Sequence, residues 1–314
     1  MIGRALEVIV IFSAVFALAT LLVWLERRLL GWFQERVGPN RVGPFGLLQP
    51  VADVVKLLAK EDWTPPFADR AVFALAPTIM AGAALLTFVV VPIAPGVGVV
   101  DLEIGFLFFL ALGSLGVYST ITGGLASRSK YSLLGGLRAA AQGISYEVFL
   151  GLSALGVIVI AGTFDLREIV EQQAGMWFVV YQPVGFVLFL IGMVAEGHRL
   201  PFDLPEGESE IVAGYHTEYS SMKFGLFFLG EYVAMVVAAA MVTTLFFGGW
   251  HGPLLPPVLW FFLKVMLFIG LFILMRAAIP RPRFDQLMAW AWKVFLPLAL
   301  LNLVVTAAVV LMLE

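Results

Sequence analysis

The chain has 314 residues, 61% of them hydrophobic and 13% charged, with a mean hydropathy of +0.97 and a formal net charge of −3. A soluble domain carries about twice that charged fraction, so an ordinary soluble protein is excluded. Zero cysteines remove disulfides, thiolate zinc sites and iron–sulfur ligation together. The three histidines (His198, His216, His251) offer no pair for a haem, so no bound metal or redox group is expected on this chain.

Crossing a ~30 Å hydrocarbon core takes about 20 apolar residues per helix, and such stretches lie at about residues 5–26, 71–92, 104–125, 138–161, 177–197, 223–248, 256–276 and 290–312. The prediction is an all-α integral membrane protein, a single polytopic membrane domain over 1–314 with eight transmembrane helices. The first run is too long for a signal peptide and ends in Glu26-Arg27-Arg28 without a cleavage pattern, so it is expected to stay. Sixteen of the nineteen lysines and arginines fall in the odd-numbered connections, leaving Arg4 and Arg167 on the other side and Lys264 inside the seventh span. By the positive-inside rule the odd connections are cytoplasmic and both termini periplasmic.

After the first span, the turn-forming Gly38-Pro39-Asn40 and Gly43-Pro44 stand among Arg27, Arg28, Arg36 and Arg41. Leu47, Leu48, Val51, Val54, Val55 and Leu58 then recur at helical spacing, which predicts an amphipathic interfacial helix at about 46–60. With the arginines it would frame a side opening for an amphipathic lipid, or serve as an anchor on lipid phosphates or a neighbouring protein.

Ionisable groups within spans are functional candidates by default, because each costs about 2.5–3.5 kcal/mol to insert. Glu147 is roughly 13 Å deep in the fourth span and Glu231 about 10 Å deep in the sixth, at 1.5 Å per residue; Glu196 closes the fifth span at its cytoplasmic end. All three are expected in the cytoplasmic half, as one polar path of the kind used for proton relay. Taken singly, each is as well read as a structural hydrogen bond between helices. Lys264 falls in the other leaflet, as a possible onward proton partner.

The cytoplasmic loop at about 198–222 contains Asp203, Glu206, Glu208, Glu210 and Glu218 with Arg199 as the nearest cation. A short helix is expected after Pro205, where like charges four apart repel. The interleaved Ile211, Val212, Tyr215 and Tyr219 favour a segment folded against something over a solvated acidic loop.

Four stretches, 26–62, 144–153, 195–232 and 276–298, together resemble the NuoH family, the quinone-site membrane subunit of respiratory complex I. The resemblance spans nearly the whole chain. It implies a proton-pumping NADH:quinone oxidoreductase whose NADH, FMN and iron–sulfur clusters belong to partner subunits, with no redox catalysis by this chain alone. It also implies a bacterial inner-membrane location and contacts with the cytoplasmic iron–sulfur quinone-module subunits, the adjacent small membrane subunits, membrane quinone and lipids, with no nucleic acid. By motif match, Glu26, Arg27, Arg36, Phe224, Phe228 and Arg276 would line the quinone entrance. Glu147, Glu196, Glu231, Asp203, Glu206, Glu208, Glu210 and Glu218, balanced by Arg199, would form an acidic funnel toward the proton path. Corresponding subunits of membrane-bound hydrogenases share the fold; the first-loop arginines favour complex I. Gly197-His198 departs from the family's Thr-Asn or similar pair, and His198 reads as a variant surface residue.

Overall fold

The computed structural model describes residues 2–313, except for the side chains of residues 2–5, 208 and 209. Among them every regular element is helical: α1 (Ile2–Phe33), α2 (Gln49–Ala59), α3 (Arg70–Thr87), α4 (Gly105–Ala126), α5 (Lys130–Ala161), α6 (Leu166–Gln172), α7 (Phe178–Tyr181), α8 (Pro183–Glu196), α9 (Glu208–Ile211), α10 (Ser221–Phe246), α11 (Pro257–Ala278), α12 (Phe284–Trp290) and α13 (Leu296–Leu313). Seven of these helical stretches are long and apolar enough to cross a membrane, α12 and α13 forming one of them through a π-helical turn at Ala291–Phe295.

The expected fifth span is built differently. Gln182 and Pro183 interrupt it, leaving four-residue α7 and fourteen-residue α8. Pro183 opens α8, where its missing N–H has no intrahelical partner to lose. Gln182 is buried and holds the break in place: its Nε2 donates to Thr306 Oγ1 of α13 at 2.5 Å, and its Oε1 accepts from Asn302 Nδ2 at 2.7 Å.

Elsewhere the ends follow local chemistry. Asp69 caps α3 by accepting from the amides of Ala71 and Val72, Asp165 caps α6 by accepting from Arg167 N at 2.8 Å, and Gly162, at φ 69°, ends α5 in the left-handed conformation. α4 and α5 cross closely because both carry glycine there: a Cβ on Gly136 would come within 3.0 Å of Thr120 O.

α10 lies at the centre, buried almost continuously from Gly230 to Phe246, with α1, α3, α8 and α11 packed around it. A helix apolar on all sides is stable only when enclosed, and three consecutive alanines, Ala238–Ala240, let its neighbours approach. α2 lies across the N-terminal end of α10, where Ser221 Oγ donates to Leu57 O at 2.9 Å, and is tied to α1 by Arg27 Nη1 to Asp53 Oδ2 at 2.6 Å. Its apolar residues Val51, Val54, Val55 and Leu58 are exposed on this chain, facing whatever surrounds it.

Candidate functional site

The last turn of α8 positions the central cation. The amides of Gly197, His198 and Arg199 all donate back, to Met193 O, Ala195 O and Val194 O, and His198 takes the left-handed conformation at φ 50°. This turn sends Arg199 inward, where it is 6% exposed. Its Nη1 donates to Glu26 Oε2 at 3.0 Å, its Nε lies 2.7 Å from Glu231 Oε1, and its guanidinium stands 4.2 Å from the ring centre of Tyr232. Arg276 of α11 reaches the other oxygen of Glu26.

The result is a chain of alternating charge, buried except at its Arg276 end, Arg276–Glu26–Arg199–Glu231, drawn from α11, α1, the loop and α10. Burial alone would lower the Arg199 guanidinium, but Glu231 and Glu26 outweigh it and hold Arg199 above its ordinary value, firmly protonated. Such a chain adds little net stability, yet removing one member strands a charge at a cost of about 3–5 kcal/mol.

Above it lies the acidic loop. Asp203 pairs with Arg281 Nη2 at 2.7 Å, and Glu210 with Arg138 Nη1 at 2.5 Å, the latter pair partly exposed. Glu206 Oε1 is 3.8 Å from His216 Nδ1. Burial, reinforced by the negative charges of Glu231 and Asp203, pushes the Glu206 carboxyl well above the usual carboxylate range. Burial also lowers His216 to about 4. Tyr215 is buried beneath the loop, and Tyr219 stacks on Phe73 of α3 with ring centres 3.9 Å apart. These aromatics fold the segment down, as their interleaving with the acids predicted. Glu218 is half-buried beside Tyr219; the side chain of Glu208 lies outside the described residues.

The three intramembrane glutamates fall into two groups. Glu231 belongs to the alternating chain. Glu147 accepts from Ser114 Oγ of α4, and Glu196 sets its Oε1 against Gly113, one residue earlier, where a Cβ would overlap it. The second oxygen of Glu196 has no hydrogen-bond partner among the described residues. A cavity of about 70 Å³ adjoins Glu196 and Gly197, bounded by Met80, Gly113, Gly116 and Ala234.

Of the expected entrance residues, Glu26 and Arg276 belong to the alternating chain. Phe224 and Phe228 continue it outward: Phe224 stacks on Phe228 at 6.0 Å, and Phe228 tilts on Tyr232 at 4.9 Å, an i, i+4 row along α10. The row runs from the end of α2 to the ring that faces Arg199. Arg27 stands at its rim on Asp53. Arg36 is set apart, exposed, with Nε donating to Gln34 Oε1 at 2.7 Å.

Two sequence-based expectations change. His198 is not a surface residue: it is 5% exposed, turned inward by its left-handed backbone, beside Tyr215. Lys264, considered as a proton partner, spends all three ammonium hydrogens on backbone carbonyls, of Phe247 at 2.6 Å, Gly249 at 3.0 Å and His251 at 2.6 Å, with the Trp177 ring 4.6 Å away.

Tyr232, Arg281, Arg138 and His216 join the site without having been singled out from sequence. The Phe224-Phe228-Tyr232 spacing was a usable signal for the first. The others are brought in by the fold of the loop.

Comparison with known proteins identifies the family. The family model described as NADH dehydrogenase matches residues 6–307. The chain is 59% identical over 309 residues to the H subunit of NADH-quinone oxidoreductase from Methylococcus capsulatus (strain ATCC 33009 / NCIMB 11132 / Bath), covering 98% of each chain. On these matches and the helical bundle that carries them, the chain belongs to the NADH dehydrogenase family of membrane subunits.

Proposed function

We propose that this chain is the quinone-site subunit of a proton-translocating NADH:quinone oxidoreductase in a bacterial inner membrane, performing no redox step by itself. In this reading α7 and α8 together make the eighth crossing, since Phe178–Glu196 reaches about 28 Å at helical rise, and both termini are periplasmic. NADH, FMN and iron–sulfur clusters are held by partner subunits, the cytoplasmic quinone module docks over the acidic loop, and small membrane subunits flank the bundle. The family match and the relative's printed name support the complex. The detailed role rests on one observation: the aromatic row Phe224–Phe228–Tyr232 leads from α2 into the alternating chain Arg276–Glu26–Arg199–Glu231.

An amphipathic quinone entering beside α2 would lie along that row, with Arg27 and Arg36 at the rim and Glu26 and Arg276 nearest its polar head. Reducing a quinone by two electrons takes up two protons. Any proton drawn from, or charge added near, Glu26 or Arg276 unbalances the chain. Arg199 passes the imbalance to Glu231, and through Asp203 and Glu206 to the loop. A charge change at one end of a tightly paired network shifts proton occupancy at the other, which is how a local event becomes a global one. Glu196 and Glu147 would receive that shift on the α4 side, with Glu210 and Glu218 at the loop's outer edge.

The test is Glu231→Gln in the assembled complex. Quinone reduction and proton pumping are both expected to fall while assembly persists, because Gln keeps the shape and loses the charge; unchanged coupled activity would sink the reading. Arg36→Ala is expected to raise the quinone concentration needed for half-maximal rate, leaving the maximal rate intact.

A further inference from the structure

His198 has no place in the function argued so far, and its position is anomalous for so polar a side chain. It is 5% exposed, and neither Nδ1 nor Nε2 has a hydrogen-bond partner among the described residues. The non-glycine left-handed conformation that holds it inward is itself unfavourable.

Other buried atoms on the flanking segments are likewise unpartnered among the described residues: Glu196 Oε2, Arg199 Nη2, and Oε1 of Gln142, whose Nε2 donates to Ala195 O at 2.7 Å and Phe202 O at 2.8 Å on either side of His198 in the chain. Each such atom left dry costs the full desolvation penalty of a polar group. Buried polar groups without protein partners are the usual seats of internal water, which makes about three hydrogen bonds per molecule. The 70 Å³ cavity reaches Glu196 and Gly197, the two residues before His198, and is large enough for water.

We propose that His198 organises buried water into a hydrogen-bonded link between the Glu147–Glu196 pair and the Arg199–Glu231 chain, making it a positioning residue for coupling between the two carboxylate groups. Gly197 and His198 are all that separates Glu196 from Arg199 in the chain, while the side-chain partners of the two groups do not overlap, so a link between them would pass this turn. A neutral imidazole suits the position, offering one N–H donor and one bare acceptor without adding charge beside Arg199. Burial keeps it neutral, lowering it to about 4. The inference rests on the function proposed above.

The experiment compares His198→Leu, His198→Asn and Glu231→Gln in the purified, assembled complex, measuring assembled amount, quinone reduction and protons pumped per electron. Asn can adopt the left-handed backbone and hold water; Leu fills the space and holds none. Leu is expected to lower coupled turnover about ten-fold, the equivalent of one lost buried hydrogen bond, and Asn to restore at least half of it. If His198 merely packs and sets the left-handed backbone, the Leu variant will lose assembled amount while turnover and protons per electron in the complex that does assemble match the wild type; that overturns the proposal, as does an equal loss in both variants. Should Glu231→Gln impair coupling while His198→Leu does not, only this inference fails; should neither matter, the proposed function fails with it. If the Leu variant does not assemble, an experimental density map of the wild-type complex decides: water within about 3 Å of a His198 ring nitrogen is expected, and a dry pocket refutes the link.

Discussion

Among the described residues Arg199 and Lys264 are cations buried in the bundle, 6% and 8% exposed, and they are satisfied in opposite ways. Arg199 faces carboxylates, Glu26 and Glu231, which can gain or lose protons. Lys264 faces three backbone carbonyls at the end of α10 and the ring of Trp177, none of which titrates. Fixed dipoles at a helix C-terminus favour a cation at all times, so Lys264 acts as a permanent clamp on the turn after α10. Titratable partners make the balance around Arg199 depend on its surroundings. The same physical problem, a charge in a low-dielectric interior, is solved once for permanence and once for response.

The sharpest way to break that contrast is Arg199→Met. It strands Glu231, while Glu26 keeps Arg276, and the assembled complex is expected to lose about 3–5 kcal/mol of stability, read as a large drop in melting temperature. Adding Glu231→Gln should recover much of the loss, because the neutral amide no longer needs the guanidinium. Lys264→Met orphans the carbonyls of Phe247, Gly249 and His251; about 2–3 kcal/mol is expected, and no neutralised carboxylate elsewhere should restore it. The protons pumped per electron should stay unchanged in whatever complex assembles, and a changed ratio would contradict the clamp.

A gentler probe is pH. Glu206 has its folded value raised above the ordinary 4.5, so the folded loop favours the protonated acid. Its contribution is fully present below about 4.5 and is lost as pH rises toward the raised folded value. Amide exchange across 201–219, corrected for its intrinsic pH dependence, is expected to speed up over that rise, and Glu206→Gln should abolish the effect. The smallest change is expected from Arg27→Ala. Its pair with Asp53 is 44% and 32% exposed, so its loss should cost at most about 1 kcal/mol, visible mainly as looser α2.

Much of the bundle was legible because insertion into lipid demands long apolar runs, and those runs locate α1, α3, α4, α5, α10, α11 and α13 directly. Helix α2 was legible for a related reason, period 3.6 in Val51, Val54, Val55 and Leu58. The interruption at Gln182–Pro183 was less so, since proline tolerates a first helical turn and Gln182 is explained only by Asn302 and Thr306, far away in sequence. Glu231 and Glu147 stood out as charges in apolar runs. Their partners did not, because Ser114 and Arg199 are brought to them only by the packing of separate helices and the loop.

Sequence by itself determined that this is a helical membrane protein with acids in its interior and an acidic loop at one end, because hydropathy and charge are properties of residues one at a time. Tertiary structure alone decided that the acids divide into two groups, that Arg199 rather than a surface arginine balances Glu231, that Lys264 is committed to carbonyls, and that His198 points inward. Those are facts about neighbours brought together by packing, and no local pattern encodes them.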